Sequence, residues 1–516
     1  MQAVDKEMIK VYAPATGEFI MEYDETPASA AAEMMEKSRE AFKDWGALSV
    51  RERVSYIRNL RLAVVEQIDE IADLIAKDVG KVRTDALVAD IMPSLDAMLH
   101  IEKHAEQSLS SQKVKTPFLL MGKKSFVEYM PMGTVLVISP WNYPFLLSLS
   151  PMLSALAAGN TVILKPSEVT PAVGKLIESL FAKANFPPNV VQVAHGGKEL
   201  GARLTNSKPD YIFFTGSVAT GKIIQQTAAK DLIPTTLELG GKDPMIVLKD
   251  ANLKRAAEGA AWGAFTNSGQ VCMSVERLII EEEVMEPFIE ELLPIVNKLR
   301  QGSGPEDDIG SMASRMQIDI VKKQVEEALQ KGARLLAGKH PSDWDSESMY
   351  IKPMVLTDVR EDMSIMQEET FGPVLPIIAV NGEDEAVSLA NESRYGLNAS
   401  VWSENKEQAR RVASRLQSGA VLINDVLVTV ANNHLPFGGQ KESGLGRYHG
   451  ENGIRMFCHE KAVMEDLGYK KSEIQWYPYE GKYESFRNLL VSNFKKSPSL
   501  GGVLKEYLKL IRKTKS

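Results

Sequence analysis

A short segment around a cysteine carries the clearest chemical signal in the sequence. Cys272 lies in the run NSGQVCMS at residues 267–274, a small-residue turn that follows a predicted helix over residues 256–265. A thiol at such a turn can face a cleft, where its thiolate would act as a nucleophile. A free cysteine is more commonly a small core residue, so this segment alone leaves both interpretations open.

A carboxylate and an amide elsewhere in the chain suit the same chemistry. Glu238 lies between apolar neighbours in the run LELGGK at residues 237–242, at a predicted strand end. Burial there would raise the pKa of the carboxyl and make it a usable general base near neutral pH, whereas the alternative is a surface glutamate. Asn142 lies in PWNYP, residues 140–144, a loop that two prolines rigidify. A neutral amide held in this way suits an oxyanion site.

Two further segments resemble cofactor contacts. The run KPSE at residues 165–168 ends a predicted strand, and FTGS at residues 214–217, with Gly221 shortly after it, is a strand–glycine–helix junction. Backbone amides at such a junction can face a pyrophosphate. Neither segment matches the dinucleotide-binding motif G-x-G-x-x-G. The glycines at 444, 446 and 450 have a similar spacing, but they do not lie between a predicted strand and a predicted helix, so we predict a loop there.

The histidines do not form a recognisable metal motif. His100 and His104 are four residues apart on a predicted helix and could chelate an ion, but HIEKH matches neither zinc motif and no third ligand is evident. We therefore predict no metal site, with both side chains on a solvated or interdomain face. We predict that His434 is a loop hydrogen-bonding residue and that Cys458 belongs to the core.

The elements that would position these groups are helices at first and then alternating strands and helices. Apolar residues recur at helical spacing before Gly80, which is a stop signal: Ile57, Val64, Val65, Ile68, Ile71 and Ile75. Short β-branched runs then alternate with helical stretches, and this alternation is typical of parallel sheets covered by helices on both faces. The clearest predicted strands are 190–193, 211–214, 245–248, 277–280, 375–380 and 420–423.

One uncharged stretch is long enough to span a bilayer on length alone. Residues 129–164 contain no Asp, Glu, Lys, Arg or His, but prolines at 131, 140, 144 and 151 interrupt them. Each internal proline removes a helical hydrogen bond that lipid cannot replace. We predict two buried strands, 134–139 and 161–164, around a proline-containing loop and a buried helix.

Composition excludes several classes of protein. The 516 residues carry 60 Lys and Arg against 68 Asp and Glu, a net charge of −8, so a dedicated nucleic-acid binder is disfavoured. With 44% hydrophobic and 25% charged residues the chain is an ordinary globular protein rather than a disordered one. Two cysteines cannot form a disulfide scaffold and fit a reducing compartment.

Residues 503–515 have a basic, amphipathic sequence pattern that differs from the rest of the chain. An apolar stripe at helical spacing comprises Val503, Leu504, Tyr507, Leu508 and Ile511. Lys505, Lys509, Arg512, Lys513 and Lys515 lie beside or beyond it. Such a basic amphipathic tail can lie on a membrane surface, or its stripe can pack on its own domain or on a partner subunit.

The order of these motifs resembles the aldehyde dehydrogenase superfamily over residues 13–461. The matching segments are 140–144, 165–168, 214–221, 238–242, 269–272, 369–373, Asn424 and 436–439. Asn424-Asp425-Val426, Tyr448-His449-Gly450 and the tail's Tyr-Pro element resemble the class 3 and fatty aldehyde branch more closely.

The resemblance implies an α/β fold in four parts. A Rossmann-type NAD(P)-binding domain would comprise residues 1–112 and 132–240, and an α/β catalytic domain residues 241–437. A small β oligomerisation arm would comprise 113–131 and 458–467, followed by the tail at 468–516. Such arms join subunits, so a homodimer or homotetramer is expected.

The resemblance also implies a mechanism. Cys272 would add to an aldehyde as a thiolate, and the Asn142 amide and the Cys272 backbone N–H would hold the developing oxyanion. Glu238 would activate the water that hydrolyses the resulting thioester. Its presence favours release of a free acid over transfer to coenzyme A, because acylating members often lack it.

The resemblance assigns the cofactor contacts as well. Lys165, Ser167 and Glu168 would face the adenine ribose and Glu369 the nicotinamide ribose. Trp141 and Ser217 would contact the pyrophosphate and Phe371 the nicotinamide; Gly216, Gly221, Leu239 and Gly240 complete the set. A carboxylate at Glu168 favours NAD over NADP because it repels a 2′-phosphate, although class 3 relatives with this glutamate use both.

The expected substrate is an aliphatic or aromatic aldehyde. The predicted tunnel residues Leu147, Ser150, Val271 and Met273 are apolar or small, but Arg277 or Lys441 would favour a semialdehyde acid if either faced the tunnel. The alternatives are a succinate-semialdehyde-type or coenzyme A-acylating dehydrogenase and, least favoured, a non-catalytic structural protein. We expect a cytoplasmic enzyme, with peripheral membrane contact through the tail as an open alternative.

Overall fold

Strands and helices alternate along most of the chain in the computed structural model, which describes residues 8–450, 452–469 and 471–515. The strands are β1 (Met8–Tyr12), β2 (Phe19–Asp24), β3 (Gln112–Val114), β4 (Lys123–Pro131), β5 (Thr134–Ile138), β6 (Thr161–Lys165), β7 (Val191–Val193), β8 (Tyr211–Thr215), β9 (Thr235–Glu238), β10 (Asp243–Val247), β11 (Val275–Glu281), β12 (Arg334–Ala337), β13 (Met354–Thr357), β14 (Val374–Val380), β15 (Asn398–Trp402), β16 (Ala420–Ile423), β17 (Gly444–Leu445) and β18 (Cys458–Asp466).

Helices cover the sheets and link the strands. The α-helices are α1 (Ala31–Ala47), α2 (Val50–Glu66), α3 (Ile68–Val79), α4 (Arg83–Asp85), α5 (Met92–Ser108), α6 (Leu146–Ala158), α7 (Pro171–Lys183), α8 (Lys198–Asn206), α9 (Val218–Ala229), α10 (Leu253–Phe265), α11 (Glu282–Lys298), α12 (Arg315–Gln330), α13 (Ser364–Gln367), α14 (Glu383–Glu392), α15 (Lys406–Arg415), α16 (Asn452–Arg455), α17 (Tyr483–Phe494) and α18 (Leu500–Lys515). A π-helical turn, Ala86–Ile91, joins α4 to α5.

The chain divides into two compact units. The larger unit contains the described residues up to Ser110 and Tyr129–Glu460, and the smaller one contains Ser111–Glu128 and the described residues from Lys461 onward. The larger unit holds two sheets, of six and of seven strands. The boundaries of cofactor-binding and catalytic domains within it remain predictions.

The six-stranded sheet is the first layer of the larger unit and has the order β17-β9-β8-β5-β6-β7. Its five longer strands are parallel, and only β17 runs antiparallel. Val135 and Val137 pack into one apolar cluster while Leu136 packs into another, so both faces are buried. Because the strands are parallel, the residues that follow Ile138, Lys165, Thr215 and Glu238 share one edge of the sheet.

The seven-stranded sheet contributes its opposite edge. Its order is β12-β13-β14-β11-β10-β15-β16, parallel except for β12. The loops that precede β10, β11 and β14 therefore lie together at the amino edge. They contain residues 239–242, the cysteine segment 267–274 and residues 368–373.

The predicted helices and strands are confirmed, with small shifts of their ends. The loop predicted at the glycines 444, 446 and 450 is wrong for Gly444 and Leu445, which form β17 because they pair with β9. The predicted strands 134–139 and 161–164 are β5 and β6, and the buried helix between them is α6. The apolar periodicity before Gly80 belongs to two helices, α2 and α3, separated at Gln67, and Gly80 ends α3 with φ of 85°. Within the described residues, no helix combines the length and the apolar character that crossing a membrane requires.

The smaller unit combines a three-stranded sheet with a helical hairpin. The sheet order is β18-β4-β3, and α17 and α18 form the hairpin. Ile474, Leu489, Val503, Tyr507 and Leu510 form its apolar cluster. The predicted stripe on α18 therefore divides: Val503 and Tyr507 are buried, whereas Leu504 and Leu508 are 45% and 48% exposed.

Candidate active site

A strained turn places Cys272 at the amino edge of the seven-stranded sheet. Asn267 and Ser268 have φ of 50° and 56°, in the left-handed region that side chains disfavour. Gly269 follows with φ of 71°, and a methyl group there would collide with the carbonyl oxygen of Gly372. Only glycine fits at this position, and the turn directs the chain from α10 into β11.

Buried polar contacts fix this turn. Asp85 accepts a hydrogen bond of 3.1 Å from the Asn267 backbone N–H, and Ser268 Oγ donates to the Gly310 carbonyl at 2.8 Å. Gln270 Nε2 donates to the Asn267 carbonyl at 2.9 Å. Strained backbone persists only where its surroundings over-determine it, as they do here.

Cys272 and Glu238 line the same cavity, of about 240 Å³. Apolar side chains form most of its wall, including Leu147, Val271 and Met273. Among the described residues that line it, Glu238 is the only charged one, and there is no arginine or lysine. The structure therefore brings the predicted nucleophile and the predicted base together in an apolar chamber.

The cavity raises the pKa of the Cys272 thiol. Burial is the largest cause, and the nearby carboxylates of Asp243, Glu238 and Glu369 act in the same direction. The Met273 backbone N–H, which hydrogen-bonds to the sulfur, opposes them. The thiol therefore stays protonated at neutral pH until a positive charge or a base reaches it.

Glu238 ends β9 and is buried. Burial raises the pKa of its carboxyl well above the usual value, and the Arg447 guanidinium opposes this shift. Within the part of the chain that the structure describes, its Oε1 has no hydrogen-bond partner. An unpartnered buried carboxyl facing a cavity is suited to accept a proton from water.

Asn142 reaches the cysteine loop from the end of β5. Its Nδ2 donates to the Gln270 carbonyl at 3.0 Å, two residues before Cys272. The backbone carbonyl of Asn142 accepts hydrogen bonds from Lys81 Nζ at 2.8 Å and from Asn267 Nδ2 at 3.1 Å. Asn142 is not among the residues that line the cavity, and its amide contacts the backbone of the cysteine loop.

Two buried ion pairs that the sequence did not predict hold these loops. Lys81 and Asp90 pair at 2.7 Å with both side chains fully buried. Lys242 pairs with Glu276 at 2.7 Å and donates to Thr370 Oγ1 at 2.8 Å. A signal for the second pair exists, because Glu276 interrupts an apolar strand; Lys81 has no such local signal.

The predicted adenine-side contacts lie at the carboxyl edge of the six-stranded sheet. Lys165 Nζ pairs with Glu168 Oε2 at 2.6 Å, and Ser167 Oγ accepts a hydrogen bond from the Val169 N–H. Ser217 caps α9 by accepting a hydrogen bond from the Thr220 N–H. Gly216 donates its N–H to the Glu238 carbonyl. Gly221, in the first turn of α9, packs against Leu239.

The predicted nicotinamide-side contacts gather around Glu369. Gly241 donates its backbone N–H to Glu369 Oε1 at 3.1 Å, and a Cβ at Gly240 would come within 2.5 Å of Glu369 Oε2 and displace that carboxyl. Burial, and next the charge of Glu276, raise the pKa of Glu369 to about 8. The rings of Trp141 and Phe371 meet edge to face at 5.3 Å.

Of the four predicted tunnel residues, only Ser150 does not line the chamber, and neither do Arg277 and Lys441, which would have favoured a semialdehyde acid. The Arg277 guanidinium donates to the carbonyls of Lys242, Leu389 and Ala390, and Lys441 donates to those of Asn391 and Ser393. Ser150 contacts His449 Nε2 at 3.0 Å instead. Neither cation therefore lines the chamber that contains Cys272.

A larger cavity, of about 410 Å³, shares Trp262 and Thr266 with the first. Its wall carries several charged groups, among them Glu258 and Arg300, and includes neither Cys272 nor Glu238. Its volume alone would make it the candidate active site, but Cys272 and Glu238 line the smaller chamber, which is therefore the better candidate.

Comparison with known proteins points in the same direction as the geometry. The model of the "Aldehyde dehydrogenase family" matches residues 1–463. A 4,4′-diapolycopene aldehyde oxidase from Methylomonas sp is 43% identical over 93% of this chain and 90% of its own length. A 4,4′-diaponeurosporen-aldehyde dehydrogenase from Staphylococcus aureus is 35% identical over 84% of this chain and 93% of its own. The solved NAD-dependent aldehyde dehydrogenase from Sinorhizobium meliloti superposes with a TM-score of 0.87 at 32% identity, covering 93% of this chain and 94% of that one.

Proposed function

The chain belongs to the aldehyde dehydrogenase family and oxidises an aldehyde to the carboxylic acid with NAD+; from that premise we propose that Cys272, Glu238 and Asn142 carry the reaction and that the substrate is a long, apolar aldehyde. The observation that supports the assignment is the shared chamber: a thiol and an unpartnered carboxyl face one cavity whose walls are otherwise apolar or uncharged.

The first step is addition of the sulfur to the aldehyde. The Cys272 thiolate forms a C–S bond with the carbonyl carbon, and the π electrons move to the oxygen. The Cys272 backbone N–H and the Asn142 Nδ2 hydrogen that does not bond to the Gln270 carbonyl would stabilise that oxyanion. Loss of one such donor typically costs about 3–4 kcal/mol in the barrier. Since burial keeps the thiol protonated, its ionisation is coupled to the arrival of the cationic cofactor or to proton transfer to Glu238.

The second half of the reaction releases the acid. NAD+ would accept a hydride when bound. As the C–H bond of the tetrahedral carbon breaks, the oxyanion electrons re-form the C=O bond, and a thioester on Cys272 remains. Glu238 then removes a proton from a water molecule, and the oxygen of that water attacks the thioester carbon. The C–S bond breaks, the thiolate of Cys272 returns, and a free carboxylic acid leaves. Because Glu238 is present, hydrolysis rather than transfer to coenzyme A completes the cycle.

The predicted cofactor residues fit a dinucleotide. Buried Lys165 and half-exposed Glu168 form an ion pair at the carboxyl edge. The N-terminus of α9 follows Ser217 and suits a pyrophosphate. Glu369 would accept hydroxyls of the second ribose. Glu168 favours NAD over NADP because a carboxylate repels a 2′-phosphate.

Apolar walls and an apolar rim support a long hydrophobic substrate. Val88, Met92, Trp262 and Val428 line the chamber and are also 40–55% exposed, so they form its mouth. Two relatives are named as a 4,4′-diapolycopene aldehyde oxidase and a 4,4′-diaponeurosporen-aldehyde dehydrogenase. A semialdehyde acid is disfavoured because no cation among the described lining residues would bind its carboxylate.

A panel of aldehydes tests this substrate class. We expect kcat/KM to rise from propanal to long polyene aldehydes and to be lowest for succinate semialdehyde. Val428→Glu should lower kcat/KM for long aldehydes and leave propanal nearly unchanged, whereas Leu435→Glu is the matched control, an exposed leucine that does not line the chamber. A preference for the semialdehyde would exclude the proposed substrate.

The helical hairpin of the smaller unit suits a membrane surface. Its exposed apolar side chains, here the hairpin face, are Leu490, Val491, Phe494, Leu500, Leu504 and Leu508. Exposed Lys495, Lys496, Lys505, Lys509 and Arg512 complement anionic lipid headgroups. Peripheral contact of this kind would also bring the enzyme to an apolar substrate dissolved in lipid.

Sedimentation with vesicles tests the hairpin face. The full-length protein should sediment with phosphatidylglycerol vesicles and less with phosphatidylcholine vesicles. Leu504→Glu with Leu508→Glu should reduce binding at least about tenfold, since each buried apolar side chain contributes 1.5–3 kcal/mol. Leu62→Glu, an exposed leucine on α2, is the control. Equal sedimentation of all three proteins would exclude membrane docking.

A second copy of the chain suits the open edge of the smaller unit's sheet. β18 is nine residues long, lies at the edge of that sheet, and is exposed along most of its length. Native proteins usually cover so long an edge. Sedimentation velocity should show a dimer or tetramer that Ala462→Pro dissociates; a monomeric parent protein would exclude this assembly.

A further inference from the structure

Three histidines that catalysis does not use meet at one place on the larger unit. His100 and His104 lie one turn apart on α5, and His434 lies on the loop that follows the short helical turn Val428–Ala431. The ring centre of His434 is 4.7 Å from that of His100 and 5.4 Å from that of His104, and these two are 4.6 Å apart. The sequence offered two ligands on a helix, and the fold adds the third.

We propose that His100, His104 and His434 bind a divalent transition-metal ion, with Zn²⁺ the best fit. One ring nitrogen of each residue lies within 4.8 Å of the others. A tetrahedral zinc ion with bonds of 2.0–2.1 Å would bring the nitrogens to about 3.3–3.4 Å from one another, a closure that side-chain rotation supplies. Spacing of four residues on a helix places two imidazoles on one face for chelation.

The chemistry of the ligands selects the ion. Three imidazoles suit Zn²⁺, Cu²⁺, Ni²⁺ or Co²⁺, whereas Mg²⁺ and Ca²⁺ require oxygen ligands. The three rings border a cavity of about 260 Å³, which leaves room for a water molecule as the fourth ligand. Asp96 and Lys103 also line this cavity and carry opposite charges, so the local field is balanced.

The third ligand is already held beside the helix. Asn433 Nδ2 donates to Asp96 Oδ2 at 2.8 Å, and Gly450 donates its N–H to the Asn433 carbonyl at 2.9 Å. The backbone N–H of His434 donates to Asn432 Oδ1 at 3.0 Å. The loop is thus fixed to α5 independently of any ion, which reduces the ordering cost of metal binding.

The position of the cluster links it to the substrate chamber. The segment before His434 contributes Val428, Val430 and Ala431 to the chamber wall, and the start of α5 contributes Met92 and Pro93. An ion bound to both elements would hold two sides of the chamber mouth together. The site therefore takes a structural ion that is not a reactant.

Metal binding is tested on untagged full-length protein carrying Cys272→Ala, so that the thiol cannot bind the ion. Titration with Zn²⁺ at pH 7.5 should show one equivalent, and Co²⁺ should give the visible spectrum of a tetrahedral site. His434→Ala and His104→Ala should each weaken binding by at least about 100-fold, the upper end of the loss caused by removing a mere outer-shell partner. His340→Ala, at an exposed histidine outside the cluster, should bind as the parent does.

Hydrogen exchange provides a second, independent measurement. Zn²⁺ should slow amide exchange in residues 428–434 of the parent and of His340→Ala, but not of His434→Ala. Because His434 is exposed, its replacement should leave the circular dichroism spectrum unchanged. Absence of stoichiometric binding by the parent, or binding that survives His434→Ala, would overturn the proposal.

Discussion

The two sheets of the larger unit build their halves of the site in different ways. The six-stranded sheet presents the carboxyl ends of parallel strands, where Glu168 stays half exposed and Ser217 caps α9 by an ordinary hydrogen bond. The seven-stranded sheet presents amino ends, where Asn267, Ser268 and Phe371 adopt left-handed backbone and Glu369 is buried enough to shift its pKa. The carboxyl edge is open and relaxed around Glu168 and Ser217, although Glu238 at the end of β9 is buried, and the amino edge around Cys272 is closed and strained.

This difference between the two edges matches the different requirements of ligand binding and of catalysis. A ligand that enters and leaves needs accessible contacts, whereas reacting groups need fixed positions in a water-poor environment. Strain at the cysteine loop survives because buried hydrogen bonds and the Lys242–Glu276 pair surround it. Substitutions on the strained edge should therefore cost far more than matched substitutions on the open edge.

The largest effect is expected at the nucleophile. Cys272→Ala should lower kcat for aldehyde oxidation by at least about 10⁴-fold, as loss of a catalytic nucleophile typically does. Reduced-cofactor absorbance measures this, and Cys458→Ala, at the other free cysteine, is the control. Normal turnover by the Cys272 variant would refute the assigned chemistry.

Loss of the base should slow one half of the reaction only. Glu238→Gln should keep a stoichiometric burst of reduced cofactor but lower steady-state turnover by about 10²–10⁴-fold, since the proposed role of Glu238 is to activate the hydrolytic water. Burial raises the pKa of this carboxyl, so it gains its basic form as pH rises. Wild-type turnover should therefore increase with pH through that pKa, and the variant should lose this dependence. A variant that turns over at full rate would show that another group is the base.

Breaking the Lys242–Glu276 pair and the Lys165–Glu168 pair compares the two edges by the loss in free energy of unfolding. Lys242→Met leaves Glu276 buried without its partner; the pair's side chains are 0% and 4% exposed, and breaking it should cost about 3–5 kcal/mol. Lys165→Met breaks a pair whose carboxylate is 52% exposed and should cost at most about 1 kcal/mol. Urea unfolding measures both changes, and equal losses would contradict the proposed contrast between the edges.

The smallest effect is expected at the open edge. Glu168→Gln should weaken NAD+ binding by about tenfold, because a neutral amide accepts ribose hydroxyls less strongly than a carboxylate. The ratio of kcat/KM for NADP+ to that for NAD+ should rise, since the repulsion of a 2′-phosphate is removed. Glu178→Gln, at another lysine-paired surface glutamate, is the control. An unchanged ratio would remove Glu168 from cofactor selection.

Local patterns predicted the helices and strands well, and they supplied the candidate reacting groups that stay predictions. The apolar spacing before Gly80, the runs that became β5, β6, β8 and β14, and the prolines that exclude a membrane span are all properties of short segments. The carboxyl edge could also be anticipated, because parallel strands must end together. The cysteine turn was recognisable from its small residues, but its left-handed backbone was not.

Pairings between distant segments could not be anticipated. Lys81 reaches Asp90 and the Asn142 carbonyl, Arg277 turns away from the chamber, and His434 joins His100 and His104. The residues next to a charged side chain in the sequence do not indicate its partner, because the tertiary fold determines which distant residue lies beside it. The division of the C-terminal stripe into a buried and an exposed half also depends on how α17 lies against α18.

The sequence by itself determined which groups are available and which segments are helix or strand, because side-chain chemistry and hydrophobic periodicity act within a few residues. Only the tertiary structure decided that a thiol and a carboxyl share an apolar chamber, that two buried ion pairs hold its loops, and that three histidines face one another. Those outcomes depend on burial and on distances between segments far apart in the chain, and folding alone sets both.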